Sequence, residues 1–191
     1  MKITSIKKIT DLIHLNMFEI KYLDVNNHEK TWQIASRNAQ PKCVTSRFEV
    51  PDAVIIVPFH RQQDKLVIIR EFRVPLGDYQ YGFPAGLVDD GEKVQETAAR
   101  ELKEETGLTV MEFKKISPPI YSSSGMTDES VSMVYVDCAG EPSSAGNTGS
   151  EDIQTMFVTP SEASTLCNNS DLKVDVKTWL VLSVYGETGR I

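Results

Sequence analysis

The stretch GLVDDGEKVQETAARELKEETGL, Gly86 to Leu108, constrains this chain more than any other part of it. Asp89-Asp90-Gly91 reads as a turn. Glu92 to Thr106 then holds good helix formers with no Pro or Gly until Gly107, a residue suited to closing a helix. At 3.6 residues per turn, Glu101, Glu104 and Glu105 fall within an arc of about 100° and share one helix face. Like charges at i,i+4 repel on a helix, so Glu101 and Glu105 oppose the element that carries them unless something positive offsets them. Three carboxylates on one rigid face match hard divalent cations such as Mg²⁺ or Mn²⁺, which take oxygen ligands and keep waters and substrate phosphates in their shell. The competing reading is a solvated acidic face, the ordinary fate of clustered glutamates.

Composition narrows the partners. The formal net charge is -7 and the 20 Lys and Arg form no dense run, which argues against a nucleic-acid surface. A small anionic ligand would then need metal ions or local arginines. At 191 residues the chain suits one domain of ordinary size with an appendage. Cys43, Cys138 and Cys167 are odd in number and widely spaced, implying neither a disulfide framework nor a zinc site, and they read as buried thiols in a reducing compartment. The opening residues lack a continuous apolar run and nothing later approaches a membrane span, so the expectation is a cytoplasmic protein without a membrane partner. His14, His28 and His60 show no ligand spacing.

Along the chain, FEIKYLDV (18–25) and TWQIAS (31–36) flank the turn-forming Asn26-Asn27 and read as a hairpin. AVIIVPF and KLVIIREF after Pro51 read as strands buried on both faces, so a core domain is expected from residue 49 to 191, preceded by a β arm over residues 1–48. YSSSGMTDES (121–130) reads as a loop, SVSMVYVDCA (130–139) as a strand and the Gly- and Ser-rich segment 141–152 as the most loop-like of all. IQTMFVT reads as a strand, Pro160-Ser161 opens a helix, and the last segment carries a helical stripe through Val176, Trp179, Leu180 and Ser183.

The spacing within 86–108 is more specific than its charge. Gly86, Glu92, Arg100, Glu101, Leu102, Glu104, Glu105, Gly107 and Leu108 form G-x5-E-x7-R-E-U-x-E-E-x-G-U, with U aliphatic. At average residue usage, seven such fixed identities arise by chance on the order of 10⁻⁹ to 10⁻⁸ per starting position. The stretch resembles the complete 23-residue signature of the Nudix hydrolases, without a gap or substitution. That resemblance implies an α/β (α+β) fold, an α-β-α sandwich around a mixed sheet, with the motif as a loop-helix-loop. It also implies metal-assisted attack of water on a diphosphate joined to another moiety. Glu101, Glu104 and Glu105 would bind Mg²⁺ or Mn²⁺, Arg100 would orient them by salt bridging, Gly86 would let the loop turn, and Glu104, Glu105 and Arg100 would be catalytic.

Outside the motif, REFRVPLGDYQYGFPAGLVDDGE (70–92) and KTWQIASR (30–37) resemble segments of the ADP-ribose and ADP-sugar pyrophosphatase branch. The likeness implies that Arg73 contacts substrate phosphates and that the main-chain oxygen of Ala85 is a metal ligand. It further implies that Trp32 stacks on the base, that Arg37 approaches the phosphates, and that the arm is exchanged across a homodimer. Glu151 matches an acidic loop residue used as metal ligand or base, with Asp152 as its local rival. Two departures stand out: Ser124 precedes Gly125 where many ADP-ribose hydrolases carry proline, and Gly149 stands where some members place a second glutamate. The expected activity is hydrolysis of ADP-ribose or a related nucleoside diphosphate sugar to a nucleoside monophosphate and a sugar phosphate. The alternatives are action on another nucleoside diphosphate sugar such as a GDP-sugar, or a non-catalytic ligand-sensing module.

Overall fold

A computed structural model describes residues 1–147, 149 and 152–191. The chain divides into two compact units, Met1–Asp52 with Pro118–Val131, and Ala53–Ser117 with Ser132–Ile191. The first is built on an antiparallel sheet of β1 (Lys2–Lys8), β2 (Asn16–Leu23) and β3 (Glu29–Ser36) in the order β1-β2-β3. The expected hairpin is present, with Ile20 opposite Trp32 and Phe18 opposite Ile34. The Asp24 carboxylate accepts the N–H groups of Asn26 and His28, which lets Asn27 take a left-handed φ of 61°. Phe18, Ile20 and Ile34 form a small core against which Ile6 packs. The sequence reading missed β1 because its register shifts between Ile3 and Ser5, and this bulge breaks the two-residue alternation that marks a strand.

A single helical turn, α1 (Lys42–Thr45), follows in the same unit. Lys42 is almost wholly buried, and its Nζ donates to Asp52 Oδ2 at 2.6 Å, Ser130 Oγ at 2.5 Å and the Val50 carbonyl at 3.2 Å. Its backbone N–H donates to Asp128 Oδ2 at 2.7 Å. All three ammonium protons are therefore used, which is the condition for a buried lysine.

The second unit contains β4 (Ala53–His60), β5 (Lys65–Arg73), a 3₁₀ turn (Val74–Leu76), β6 (Asp78–Gly82), β7 (Ala85–Leu87), α2 (Val94–Thr106) and β8 (Thr109–Ile116). The two-residue β9 (Ile120–Tyr121) lies in the first unit and pairs with Ser130 and Val131, the first residues of β10 (Ser130–Ala139). β11 (Ile153–Val158), α3 (Pro160–Asn168), β12 (Lys173–Val174) and α4 (Val176–Thr188) complete the second unit. Its strands run in the order β12-β6-β5-β4-β10-β8, with β11 also on β5 and β7 also on β4. β12 is parallel to β6 while β5 and β6 are antiparallel, so the sheet is mixed. Val54, Ile56, Val67, Val134, Val136 and Cys138 form one core with Ala98, Leu102 and Leu108, which fixes α2 against that face. The intervening Leu66 and Ile68 are buried as well, as expected of strands covered on both faces.

Two sequence expectations need correction. The α4 stripe through Val176, Trp179 and Leu180 is exposed, and the helix buries Thr178, Leu182 and Tyr185 instead. Of the three cysteines only Cys138 is buried; Cys43 is exposed and Cys167 half-buried.

Burial opposes ionisation of Asp52, but the Lys42 ammonium, the Ser130 N–H and Asn38 together hold its carboxyl below the usual aspartate value. A folded-state pKa below the unfolded one stabilises above the ordinary aspartate range, and that contribution is lost as pH falls through the lowered value. Lys42→Met strands a half-buried carboxylate and should cost about 3–5 kcal/mol at pH 7. Urea unfolding should show the deficit shrinking towards pH 3; a deficit equal at both values would assign the loss to packing.

Candidate active site

α2 is positioned by its buried stripe of Ala98, Leu102 and Thr106, which leaves Arg100, Glu101 and Glu104 on other faces. The Glu96 carboxylate accepts the Lys93 N–H at 2.9 Å at its start, and Gly107, at φ 75°, donates to the Lys103 carbonyl at its end. Arg100 gathers the acids around it. Its Nη1 donates to Glu101 Oε1 at 2.6 Å and to Glu104 Oε2 at 3.3 Å, while Nε and Nη2 grip Glu92 at 3.0 and 2.9 Å. Nη2 also reaches the Leu87 carbonyl at 3.2 Å and lies 3.8 Å from Asp89.

Glu92 carried no role of its own in the sequence reading, yet it is the bidentate partner of the guanidinium. Its hydrogen bonds from Arg100, helped by the Thr97 hydroxyl, hold its carboxyl down to about 2. Glu92 in turn is the main cause that raises the Arg100 pKa. A carboxyl depressed in this way supports the fold above the ordinary glutamate range and loses that contribution only as pH falls towards 2. The clamp therefore stays ionic through mild acid.

Glu105 departs from the expectation that Arg100 orients all three glutamates. It is buried, and its Oε2 accepts the Ala85 N–H at 3.1 Å. Ala85 lies in β7 opposite Ile55, so a sheet residue fixes the Glu105 carboxylate. Gly86 differs too. It sits in β7 outside the left-handed region, and the turn is made by Gly91 at φ 83°. What Gly86 supplies is space: a Cβ there would come within 1.9 Å of the Glu101 carboxyl carbon.

Arg73 ends β5, and its Nη1 donates to both Glu71 oxygens at 2.9 and 3.1 Å. Val67 packs with α2, and the two-residue strand period puts Glu71 and Arg73 on that same face of β5. Glu71 was not singled out from sequence, and its only local signal was the E-x-R spacing. In the first unit, the Trp32 indole donates to the Gly125 carbonyl at 3.0 Å and Arg37 Nε to Glu129 at 2.9 Å. Trp32 lines a cavity of ≈ 500 Å³ with Ile20, Tyr22, Ile34, Phe48 and Tyr121. Glu151 lies outside the described residues. Its rival Asp152 accepts the Tyr79 hydroxyl, and the Arg70 guanidinium sits 3.5 Å over the Tyr79 ring.

Three carboxylates and a main-chain carbonyl are all hard oxygen donors, so the residues fit Mg²⁺ or Mn²⁺ in kind. Among the described residues, no three acidic, histidine or cysteine side chains already converge to hold a metal ion. Arg100 holds Glu101 and Glu104, and the Ala85 N–H holds Glu105. A cation would draw these oxygens from partners that already orient them.

Gly86→Ala should displace the Glu101 carboxylate, the flexible end of a side chain, and leave the backbone in place. The expected outcome is a kcat lowered by at least about tenfold with a melting temperature close to that of the unaltered chain. Steady-state rates alongside thermal denaturation check this, and full activity in Gly86→Ala would show that Glu101 needs no such space.

Comparison with known proteins agrees with this arrangement. The NUDIX domain pattern matches residues 50–179. The chain is 29% identical over 148 residues to the ADP-sugar pyrophosphatase of Mus musculus, covering 76% of this chain and 64% of that one. It is 29% identical over 132 residues to an ADP-ribose pyrophosphatase of Saccharomyces cerevisiae, covering 69% and 56%. It is 44% identical over 77 residues to the ADP compounds hydrolase NudE of Escherichia coli, covering 38% and 40%. The chain thus spans less than two thirds of the length of each of these relatives. Among solved structures, an ADP compounds hydrolase superposes with a TM-score of 0.69 at 24% identity, covering 100% of this chain and 98% of that one, which shows a shared fold. With its signature helix and mixed sheet in place, the chain belongs to the NUDIX domain family.

Proposed function

We propose that this chain is a divalent-cation-dependent hydrolase that cleaves ADP-ribose or a related nucleoside diphosphate sugar to a nucleoside monophosphate and a sugar phosphate. The observation that carries the reading is the crowding of Glu92, Glu101 and Glu104 on Arg100, with Glu105 fixed separately by the Ala85 N–H. A purely solvated acidic face would need no such internal cation and no sheet amide. The names of the mouse, yeast and bacterial relatives, all acting on ADP compounds, support the substrate class.

Glu101, Glu104, Glu105 and the Ala85 carbonyl would hold Mg²⁺ or Mn²⁺. A bound cation supplies charge neutralisation for the diphosphate and activation of the attacking water. Arg100, being always charged, presets the carboxylates of Glu101 and Glu104 before the cation arrives. Arg73, steadied by Glu71, would meet substrate phosphates. Glu151 would serve as base or further ligand. Asp152, its rival, already accepts a hydrogen bond from Tyr79, which favours Glu151 for proton transfer.

In the first unit, the apolar cavity beside Trp32 has the size and aromatic lining of a nucleobase site, and Arg37 lies on the same arm. Leu12 and Ile13 on the β1–β2 connection are exposed, which supports a homodimer formed through residues 1–48.

A panel of nucleoside diphosphate compounds, including GDP-sugars, with chromatography of the products tests the reading. Cleavage of ADP-ribose or an ADP-sugar to AMP should require Mg²⁺ or Mn²⁺ and cease in excess chelator. Glu105→Gln should remove most turnover, and Glu151→Gln should lower kcat by about 10²-fold or more with a smaller change in KM. Sedimentation should give a dimer. Undiminished cleavage in chelator overturns the metal role, and a monomer overturns the arm's.

A further inference from the structure

Residues 141–147 run across the C-terminal end of α2. The Ser143 N–H donates to the Thr106 carbonyl at 2.8 Å, capping one of the carbonyls a helix end leaves open. Gly146 lies so close to the helix that a Cβ there would come within 2.5 Å of the Glu104 carbonyl oxygen and 2.9 Å of its Cα. The neighbouring Asn147 Cα is therefore one peptide, about 3.8 Å, from a residue in contact with Glu104.

Asn147 donates from Nδ2 to the carbonyl of Ile153, the first residue of β11, at 3.4 Å, and from its backbone N–H to Ser144 at 3.1 Å. The side chain thus ties together the two ends of the segment that contains Glu151. Its Oδ1 is enclosed and, among the described residues, has no hydrogen-bond donor. A buried amide oxygen without a donor destabilises the fold, and native proteins keep one where water or a ligand completes it. Mg²⁺ and Mn²⁺ usually retain several coordinated waters, which are polarised and donate strongly.

We infer that Asn147 is a positioning residue of the hydrolytic site: Nδ2 fixes the ends of the loop, and Oδ1 accepts a hydrogen bond from a water in the hydration shell of a cation held by the α2 carboxylates. This rests on the cation-dependent reading above. Neither the helix nor the signature residues call for Asn147, so it is a contribution of this chain's own loop. Gly146 serves the same end by letting the loop lie against Glu104 without a side chain between them.

Titration of the full chain with Mn²⁺ in the absence of substrate, followed by the electron paramagnetic resonance of the unbound ion, separates the two claims. If the unaltered chain binds no Mn²⁺, the cation reading itself fails. Given binding, Asn147→Ala should weaken Mn²⁺ affinity about tenfold and lower kcat while KM changes less than about twofold. Unchanged Mn²⁺ affinity in Asn147→Ala, whatever its melting temperature, overturns the inference and leaves Oδ1 to an ordinary buried water. Asn147→Asp keeps an acceptor at the same place but gives up the Nδ2 bond to the Ile153 carbonyl, and Asn147→Leu gives up both at similar size. Asn147→Asp should bind Mn²⁺ clearly more tightly than Asn147→Leu, and equal affinity in the two would also overturn the inference.

Discussion

The site depends on one guanidinium standing among carboxylates. Without Arg100, α2 would carry Glu101 and Glu105 at repelling spacing, with Glu104 beside them and Glu92 just ahead of the helix. The same side chain also ties three pieces of backbone together. It bonds the Leu87 carbonyl at the end of β7, grips Glu92 in the loop before the helix, and reaches Glu101 and Glu104 on the helix itself. A lysine could replace the charge but not this geometry, since an ammonium lacks the planar fork that engages both Glu92 oxygens while reaching further acceptors.

This arrangement has a consequence for chemistry. Interactions that preset carboxylates also compete for their oxygens, so a ligand cation must displace part of what holds the site in its absence. Glu101 and Glu104 would give up contacts to Arg100, but Glu92 keeps its bidentate pair, and the guanidinium therefore stays anchored. Glu105 has a neutral partner in the Ala85 N–H. An amide can hold a carboxylate in place without neutralising it.

Much of this was legible in the sequence because it is local. The helix of the motif, its glycine terminus and the buried strands over 53–60, 65–73 and 130–139 follow from propensity and hydrophobic runs that need no distant partner. What escaped the reading is tertiary. Gly86 looks like a turn residue until the Glu101 carboxylate is seen against it, and nothing in a string of letters reports that approach. The bulge in β1 hid that strand. α4 carries Val, Leu and Trp around most of its circumference, so periodicity could not choose between its faces, and the packing of α4 on α3 and β6 accompanies burial of Leu182 and Tyr185. The return of Pro118–Val131 to the first unit, where Ser130 meets Lys42 and Asp52, joins residues far apart in the chain that no motif connects.

The most direct test is anomalous diffraction from crystals of the chain soaked in Mn²⁺. The account predicts an anomalous peak ligated by the carboxylates of Glu101, Glu104 and Glu105 and the Ala85 carbonyl, with Arg100 withdrawn from Glu101 and Glu104 but still paired with Glu92. Mn²⁺ bound elsewhere, with Arg100 still bonded to Glu101 and Glu104, would contradict it.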